Sequence, residues 1–246
     1  MVQVEPTHFW FVSRNQILGD VLRKYFTGPA RVLEIGCGTG FVLSGIRTIF
    51  PLAKLSASDV YTEGMDYAAR RVPDAFLFQM DARHIPFRDE FDLIGAFDVL
   101  EHIEDDEAVL AQLYQACKDG GGLALTVPQH RWLWSRMDDF AHHKRRYTRG
   151  EMVQKLENAG FRVEYTTSFI SLLLPLMLVA RLLRKPAGAE MEDQMDAAGL
   201  SIGKLTNSIM RAVMAFERVL IRIGLRLPFG GSLLVIAKKP IPVENN

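Results

Sequence analysis

Short apolar runs alternate with amphipathic stretches along most of the chain. Apolar residues at helical spacing predict helices over residues 8–26, 41–50, 62–71, 105–118 and 148–159. Between them, compact apolar runs predict strands over residues 31–35, 54–58, 75–79, 91–97, 123–127, 162–167 and 232–238. Strands that alternate with helices in this way are typical of a parallel sheet with helices on both faces. The pattern therefore predicts an α/β fold.

Local signals set the expected ends of three helices. Thr62 is placed to cap the helix that follows the second strand, because a hydroxyl can accept a free backbone N–H there. Thr148 and Glu151 have the spacing of a capping box at the start of a later helix. The glycines at 120–122 are expected to close the helix that precedes them.

Residues 168–231 separate the last two predicted strands by more than a tight connection requires. They contain an apolar run from Phe169 to Leu183, a polar segment from Pro186 to Asp196, and an amphipathic helix predicted over 202–225. The apolar stripe of that helix consists of Ile202, Leu205, Ile209, Val213, Phe216, Leu220 and Ile223. It fits a helix packed on the core, a cap over a substrate pocket, or a membrane-docking surface. Flotation with anionic liposomes, with and without this segment, would test the docking hypothesis.

Composition and charge narrow the expected partners. The 246 residues suffice for a single domain, and 29 basic residues balance 29 acidic ones. Nucleic acid is not expected as a partner, because proteins that bind it usually have a basic excess. Cys37 and Cys117 have no metal-site spacing, so no metal is expected. The first residues lack the pattern of a secretion signal, and no apolar run reaches about 18 residues. These features predict a cytoplasmic protein, with peripheral contact to the inner membrane face left open.

A glycine-rich loop, Gly36-Cys37-Gly38-Thr39-Gly40, follows the first predicted strand and opens a helix. Glycines let the backbone approach a ligand, and the helix N-terminus offers free N–H groups. Such a loop alone fits an NAD-dependent oxidoreductase, and we keep this enzyme class as one hypothesis. Against that alternative, Phe41 stands where the dinucleotide fingerprint has its third glycine. Glu34, two residues before the loop, suits an ammonium group better than a pyrophosphate.

Two further carboxylates follow the next two predicted strands. Asp59 ends the second strand, where it can accept hydrogen bonds from ribose hydroxyls. Asp81 comes just after the third strand, where it can accept a hydrogen bond from an adenine amino group or cap a helix. Because the carboxyl ends of parallel strands meet at one edge of a sheet, we expect both acids to line one cleft with Glu34.

The segments that carry this chemistry resemble the class I S-adenosylmethionine-dependent methyltransferases of the small-molecule type. They are Val32-Leu-Glu-Ile-Gly-Cys-Gly-Thr-Gly40, Asp59, Asp81-Ala82 and the motif from Phe91 to His102. The resemblance covers about residues 30–165 and the final strand, and it points to a bacterial subgroup of uncertain substrate. It implies a seven-stranded Rossmann-like sheet of order 3-2-1-4-5-7-6 with strand 7 antiparallel. It also implies a single domain over 1–246, with a helical lid at 1–29 and a helical insertion or cap at 168–231.

The resemblance further implies S-adenosylmethionine as cofactor and S-adenosylhomocysteine as product. The implied cofactor residues are Glu34, Gly36, Cys37, Gly38, Gly40, Asp59, Val60, Asp81, Ala82, Asp98 and Val99. In the family, the acid before the loop and the residues at 98–99 line the methionine end. The acids after the second and third strands hold the ribose and the adenine. We interpret Glu101 and His102 as structural, because the next helix starts just beyond them.

The segment between the fifth strand and its helix is rich in histidine, tryptophan and arginine. Its residues Trp134, Ser135, Asp138, His143, Arg145, Arg146 and Tyr147 resemble a pattern that recurs in the same subgroup. Methyl transfer mainly requires an oriented nucleophile, and a hydroxyl acceptor also needs a base. His143, oriented by Asp138, is the first candidate for that base, and His130 is the second.

Other interpretations of this segment remain open. Asp138, Arg145 and Arg146 could form a salt-bridged loop without a chemical role, or the arginines could bind a carboxylate or phosphate of the acceptor. The predicted acceptor is a small or lipid-like molecule that is methylated at oxygen. A non-catalytic, membrane-associated protein on the same fold is the third hypothesis, and it would bind liposomes but no cofactor.

Overall fold

A computed structural model describes residues 2–183 and 202–242 of the chain. The polar segment predicted from Pro186 to Asp196 lies outside the described residues. The strands are β1 (Arg31–Ile35), β2 (Lys54–Asp59), β3 (Phe76–Gln79), β4 (Phe91–Phe97), β5 (Cys117–Pro128), β6 (Arg162–Phe169) and β7 (Ser232–Lys238). The helices are α1 (Phe9–Tyr25), α2 (Phe41–Ile49), α3 (Met65–Arg71), α4 (Asp106–Ala116), α5 (Arg136–Phe140), α6 (Arg149–Asn158), α7 (Leu174–Leu183) and α8 (Lys204–Arg222).

The strands form one sheet in the order β3-β2-β1-β4-β5-β7-β6. β7 is antiparallel to β5 and β6, and the other neighbours are parallel. This confirms the α/β fold and the strand order that the resemblance implies. The register places Ile35 of β1 beside Ser58 of β2 and Ala96 of β4. The ends of these three strands therefore meet at one edge of the sheet.

The sheet separates two apolar cores, because successive residues of a strand face opposite sides. On one side, Val32 belongs to a buried cluster with residues of α1, α2 and α8. On the other side, Leu33 belongs to a cluster with residues of α4 and α6. Both side chains are completely buried. Burial on both faces explains why the central strands appear in the sequence as continuous apolar runs.

Two of the expected helix ends are wrong, and the third is confirmed. Thr62 does not cap α3, which begins after Gly64, and the Thr62 carbonyl accepts the N–H of Met65 at 3.0 Å. A β-carbon at Gly64 would lie 2.6 Å from the carbonyl oxygen of Gly38, so the chain passes close to the glycine loop just before the helix starts. The capping box is confirmed, because the Thr148 hydroxyl accepts the N–H of Glu151 at 3.2 Å.

The glycines at 120–122 lie within β5 and do not close α4. β5 begins at Cys117, well before the predicted strand start at Leu123. Its pairing with β4 shifts register between Phe91 and Leu93, so the glycines form an irregular stretch of the strand. A β-carbon at Gly122 would lie 2.6 Å from the Ala237 carbonyl oxygen on β7. Glycine is needed here for close approach between strands.

The long helix of the insertion, α8, packs on α1 through a face that only partly overlaps the predicted stripe, since Val213 of that stripe packs against the core. Its buried residues are Met214, Glu217 and Ile221, whereas Leu205, Ile209, Phe216 and Ile223 of the predicted stripe are exposed. The predicted stripe lies beside the contact face because neighbouring helical positions differ by about 100°. The periodicity detected an amphipathic helix without distinguishing the two adjacent stripes.

The apolar run of the insertion is divided between two elements. Phe169 is the last residue of β6, and α7 begins at Leu174. Pro175 lies in the first turn of α7, where a missing N–H costs no helical hydrogen bond. Among the described residues, no helix is both long and apolar enough to cross a membrane.

Candidate cofactor and acceptor site

The glycine loop between β1 and α2 adopts backbone conformations that favour glycine. Gly36, Gly38 and Gly40 have φ values of 69°, 49° and 73°. A β-carbon at Gly36 would collide with the Val99 side chain, and one at Gly40 would lie 2.7 Å from Ala68. At Gly38, an added β-carbon would meet no described atom within 4 Å. The loop is therefore packed at both ends and open at its centre, where a ligand has room.

Asp59, the last residue of β2, fixes the open part of the loop. One carboxylate oxygen accepts the N–H of Gly38 at 2.8 Å, and the other accepts the N–H of Tyr61 at 2.9 Å. Each oxygen keeps a further lone pair for a ligand hydroxyl. Val60, which follows directly, is exposed beside it. The ribose role of Asp59 stays a prediction.

Glu34 lies near the end of β1 and is almost completely buried. Its Oε2 atom has no hydrogen-bond partner among the described residues. Burial raises the pKa of this carboxyl to about 8; the positive charge of Arg14 opposes the shift, and Asp59 adds to it. A buried acid in this state favours a cationic ligand group that would complete an ion pair. Burial, with Glu34 and Asp59 nearby, also raises the pKa of the Cys37 thiol to about 12, so that thiol stays neutral.

The raised pKa of Glu34 predicts pH-dependent stability of the ligand-free protein. Between the ordinary value of 4.5 and the folded value of about 8, the unfolded chain loses this proton while the folded chain keeps it. The stabilising contribution of the proton on Glu34 is complete below pH 4.5 and is lost as the pH rises through about 8. We expect Glu34→Gln to flatten the fall in the free energy of unfolding across this window, measured by urea denaturation.

The control for that experiment is the exposed acid Glu63. Its replacement, Glu63→Gln, should leave the pH slope as in the wild type, because an exposed carboxyl has nearly the same surroundings before and after unfolding. Equal slopes for the wild type and Glu34→Gln would contradict the prediction.

Asp98 follows β4 and contacts elements on two sides. Its backbone is left-handed, with φ of 58°, and its carboxylate accepts the Thr126 hydroxyl of β5 at 3.0 Å. The same carboxylate forms an ion pair with Arg14 of α1. The Arg14 guanidinium lies 4.3 Å from the ring centroid of Trp10. No local signal in the sequence connects Arg14 with the sheet edge, and this contact emerges from the structure.

The N-terminal segment covers the glycine loop from the other side. The buried Glu5 accepts the Thr39 hydroxyl at 2.8 Å and pairs with Arg71 of α3 at 2.7 Å. Glu5 was not predictable as a site residue, because an acid in an irregular segment has no periodicity to reveal its partner. We therefore find two acidic contacts, at Asp98 and at Glu5, that join the first residues of the chain to the predicted cofactor edge.

The N-terminal segment is also joined to the insertion. The Asn207 side chain of α8 accepts the N–H of Phe9 at 2.8 Å and donates to the Thr7 carbonyl at 2.9 Å. Arg218 of α8 forms two hydrogen bonds with Asp20 of α1, at 2.6 and 3.0 Å. These contacts place α1 and α8 in one layer over the same side of the sheet. The lid and cap roles stay predictions.

Asp81 lies beyond the end of β3, and Arg83 occupies its carboxylate. The guanidinium donates to both oxygens at 2.6 to 3.0 Å, and the Arg83 N–H donates at 2.9 Å. Hydrogen bonds from Arg83 lower the pKa of Asp81 to about 2. The neighbouring Ala82 is buried. The adenine role of Asp81 stays a prediction, and it requires the exposed Arg83 side chain to share or release the carboxylate.

Asp138 is the centre of the loop expected to face the acceptor. Although burial opposes it, hydrogen bonds from His143 and Arg146 hold the pKa of Asp138 well below its usual range. The His143 Nδ1 lies 2.9 Å from Asp138, Arg146 donates at 2.7 and 3.0 Å, and the Ser135 hydroxyl donates at 2.9 Å. Asp138 therefore orients the imidazole of His143 and leaves its Nε2 for another partner.

The two neighbouring arginines are both engaged within the protein. Arg146 pairs with Asp138, whereas Arg145 pairs with Asp106 at 3.2 Å and donates to the Glu104 carbonyl at 2.7 Å. These contacts agree with the salt-bridged interpretation of Arg146. They do not favour binding of an acceptor carboxylate or phosphate by the pair, because both guanidinium groups already have acidic partners.

His130 has different surroundings from His143. Its ring stacks at centroid distances of 5.3 Å on Trp132 and 5.6 Å on Phe229. Burial, with the charges of Arg146 and Arg149, lowers the pKa of His130, and its Nε2 has no hydrogen-bond partner among the described residues. His143 therefore has an orienting carboxylate, whereas His130 has two stacked aromatic neighbours.

A known protein family matches this chain over most of the chain's length. Residues 11–166 match the family described as a methyltransferase domain. This match spans more than half of the chain, and the chain therefore belongs to that family. Together with the strand order and the glycine loop, it places the protein among the class I S-adenosylmethionine-dependent methyltransferases.

Individual relatives share this domain. Trans-aconitate 2-methyltransferase of Variovorax paradoxus is 33% identical over 103 residues, which are 42% of this chain and 40% of that protein. Malonyl-[acyl-carrier protein] O-methyltransferase of Methylococcus capsulatus is 28% identical over 143 residues, or 54% of this chain and 52% of that protein. The chain thus spans about half the length of these curated relatives.

A solved structure shows the same fold. Phosphoethanolamine N-methyltransferase 2 of Haemonchus contortus, in complex with S-adenosyl-L-methionine, superposes with a TM-score of 0.60. The superposition covers 92% of this chain and 52% of that chain at 19% sequence identity. At this identity the likeness is evidence for the fold alone, and the role of each residue has to be argued from the geometry of this chain.

Proposed function

We propose that the protein transfers a methyl group from S-adenosylmethionine to an oxygen atom of a small-molecule acceptor. The observation that carries this proposal is the arrangement at the edge of the sheet. The buried Glu34 and the loop-bound Asp59 flank the open space at Gly38. An unpartnered acid fits an ammonium group, and a carboxylate with free lone pairs fits ribose hydroxyls. When bound, S-adenosylmethionine supplies an electrophilic methyl group on a positively charged sulfur.

The protein's own groups hold the cofactor and orient the acceptor in this proposal. Val99 covers Gly36, and Asp98 is fixed by Thr126 and Arg14, so this end of the cleft is firmly positioned. Such positioning is the main catalytic contribution for a displacement whose leaving group is already activated. The imidazole of His143, held by Asp138, is the group that we propose for the proton of an acceptor hydroxyl.

The named substrates of two relatives suggest where to begin the search for an acceptor. One relative is named for trans-aconitate and the other for malonyl-acyl carrier protein. Both acceptors carry carboxyl groups, so carboxylic acids and hydroxy acids form the first panel. Contact of the insertion with a membrane, which would favour a lipid-like acceptor, stays a prediction from the sequence.

Ligand binding and product formation test the proposal. S-adenosylhomocysteine should raise the melting temperature, whereas NAD should leave it unchanged, because only the former offers an ammonium group to Glu34. For any hydroxyl acceptor in the panel that supports turnover, His143→Asn should lower kcat about a hundredfold or more with unchanged affinity for S-adenosylhomocysteine. Mass spectrometry of S-adenosylhomocysteine and the methylated product measures turnover.

His130→Asn is the comparison variant for the candidate base. We expect it to retain turnover within about tenfold of the wild type, because His130 has no orienting carboxylate. A larger loss in His130→Asn than in His143→Asn would reverse the assignment. A melting temperature that rises with NAD and not with S-adenosylhomocysteine would refute the proposed cofactor.

A further inference from the structure

The carboxylate of Glu101 is an unexplained buried charge beside the proposed acceptor site. Glu101 is only 1% exposed, and neither of its carboxylate oxygens has a hydrogen-bond partner among the described residues. An ionised carboxylate without a partner is costly to bury. A carboxyl buried in this way therefore either keeps its proton or pairs with a positive group.

The neighbouring arginines already have other acidic partners. Arg14 pairs with Asp98, and Arg146 pairs with Asp138. Three carboxyl groups thus share two guanidinium groups, and Glu101 is the one without an ion pair among the described residues. Ionisation of Glu101 would leave one negative charge in excess, which a cation would balance.

Two imidazoles complete a set of ligands around this carboxylate. One ligand atom from each of Glu101, His102 and His143 lies within 4.8 Å of the others. Neighbouring ligand atoms on a tetrahedral zinc ion lie about 3.4 Å apart, so side-chain rotations would have to bring these atoms closer by up to about 1.4 Å to enclose one ion. Glu101 is buried and His102 is exposed, so the cluster is open to solvent on one side. That opening provides an entry path and free positions for water or a substrate oxygen.

The supporting contacts resemble those that hold metal ligands in place. Asp138 hydrogen-bonds the Nδ1 of His143, which leaves Nε2 for an ion; carboxylates commonly orient metal-bound histidines in this way. The Lys144 N–H donates to the Glu101 carbonyl at 2.6 Å and so ties the two segments of the cluster together. Two nitrogen ligands and one carboxylate favour zinc or a similar transition metal over magnesium, which prefers oxygen ligands.

We propose that Glu101, His102 and His143 bind one divalent transition-metal cation. Its position beside Asp98 lets the ion hold and polarise an oxygen of the acceptor, and this catalytic part rests on the proposed methyl transfer. With the ion bound, His143 Nε2 would serve as a ligand and would no longer take the acceptor proton. The ion would lower the pKa of the acceptor hydroxyl, and the proton would pass to solvent at the open side of the cluster. Binding of the ion itself depends on neither cofactor nor acceptor.

The test uses Co²⁺ as a spectroscopic probe on the full chain after removal of metals with a chelator. We expect saturable visible absorption at one Co²⁺ per chain, and competition by Zn²⁺ but not by excess Mg²⁺. Glu101→Gln should abolish the signal, and His102→Asn should weaken Co²⁺ binding at least about tenfold. His142→Asn, a neighbouring exposed histidine outside the cluster, should bind Co²⁺ like the wild type.

Folding and cofactor binding are measured in parallel. Glu101→Gln keeps the shape of the side chain and removes its charge, so its metal-free melting temperature should equal or exceed that of the wild type. If this variant does not fold, the exposed His102→Asn decides the question. Absence of saturable Co²⁺ absorption, or equal titrations of the wild type and the folded cluster variants, overturns the metal site. Glu101→Gln should bind S-adenosylhomocysteine as the wild type does. A wild type that binds Co²⁺ but not S-adenosylhomocysteine would refute the methyltransferase proposal and leave the metal site standing.

Discussion

Replacing Asp59 with alanine should weaken S-adenosylhomocysteine binding about a hundredfold. Two charge-assisted hydrogen bonds to ribose hydroxyls, each contributing about 1.5 kcal/mol, account for this loss. The carboxylate also accepts the N–H of Gly38, so its removal releases the open part of the loop. Isothermal titration calorimetry with S-adenosylhomocysteine gives the affinity, and circular dichroism shows whether the variant is folded.

Asp66→Ala is the matched control for this measurement. Asp66 is an exposed acid in the first turn of α3, close in sequence to Asp59 and not implicated in ligand binding. Its loss should leave the affinity within about threefold of the wild type, because an isolated surface charge contributes little. An affinity of Asp59→Ala within that same range would remove the basis for placing the ribose beside Asp59.

Asp106→Ala should lower the free energy of unfolding by about 3 kcal/mol, the largest stability effect we expect from a polar substitution. The buried Asp106 accepts the Tyr147 hydroxyl at 2.8 Å and pairs with Lys155 at 2.9 Å and Arg145 at 3.2 Å. Alanine would remove the closer of the two acceptors of the buried Tyr147 hydroxyl and leave it the Leu100 carbonyl at 3.2 Å. It would also remove one partner from each of the two cations. Urea denaturation at neutral pH measures the change.

Glu107→Ala separates the buried network from simple loss of charge. Glu107 also pairs with Lys155, at 2.8 Å, but its side chain is 62% exposed. Its removal should cost less than about 0.5 kcal/mol, because solvent screens such pairs. If Asp106→Ala and Glu107→Ala had similar effects, the buried network would not be the source of the stability.

The fold was largely predictable because the sheet is buried on both faces. Each central strand is a compact apolar run, and β4 and β7 have the predicted bounds. The start of β5 was not predictable from the pattern, since Gly120, Gly121 and Gly122 also mark helix ends. Their place in a strand depends on close contact with β7, which a local pattern does not contain.

The candidate site was predictable where residues are tied to strand ends. The α/β topology brings Glu34 and Asp59 to one edge, so their positions follow from the order of the strands. Contacts that depend on tertiary packing were not predictable in this way. Arg14 reaches Asp98 from a different element. Glu101 was interpreted as structural because the next helix starts just beyond it, and no local signal shows that its buried carboxylate lacks a partner.

The hydrogen bonds of Asn207 have a mechanical consequence for access to the glycine loop. This single side chain bonds both Thr7 and Phe9, close to Glu5, which contacts the loop at Thr39. Residues about two hundred positions apart in the sequence are thus hydrogen-bonded to each other. The segment from Glu5 to Phe9 cannot move away from α8 without breaking these hydrogen bonds. An N-terminal segment that opened over the loop would therefore have to break these two hydrogen bonds or carry α8 with it.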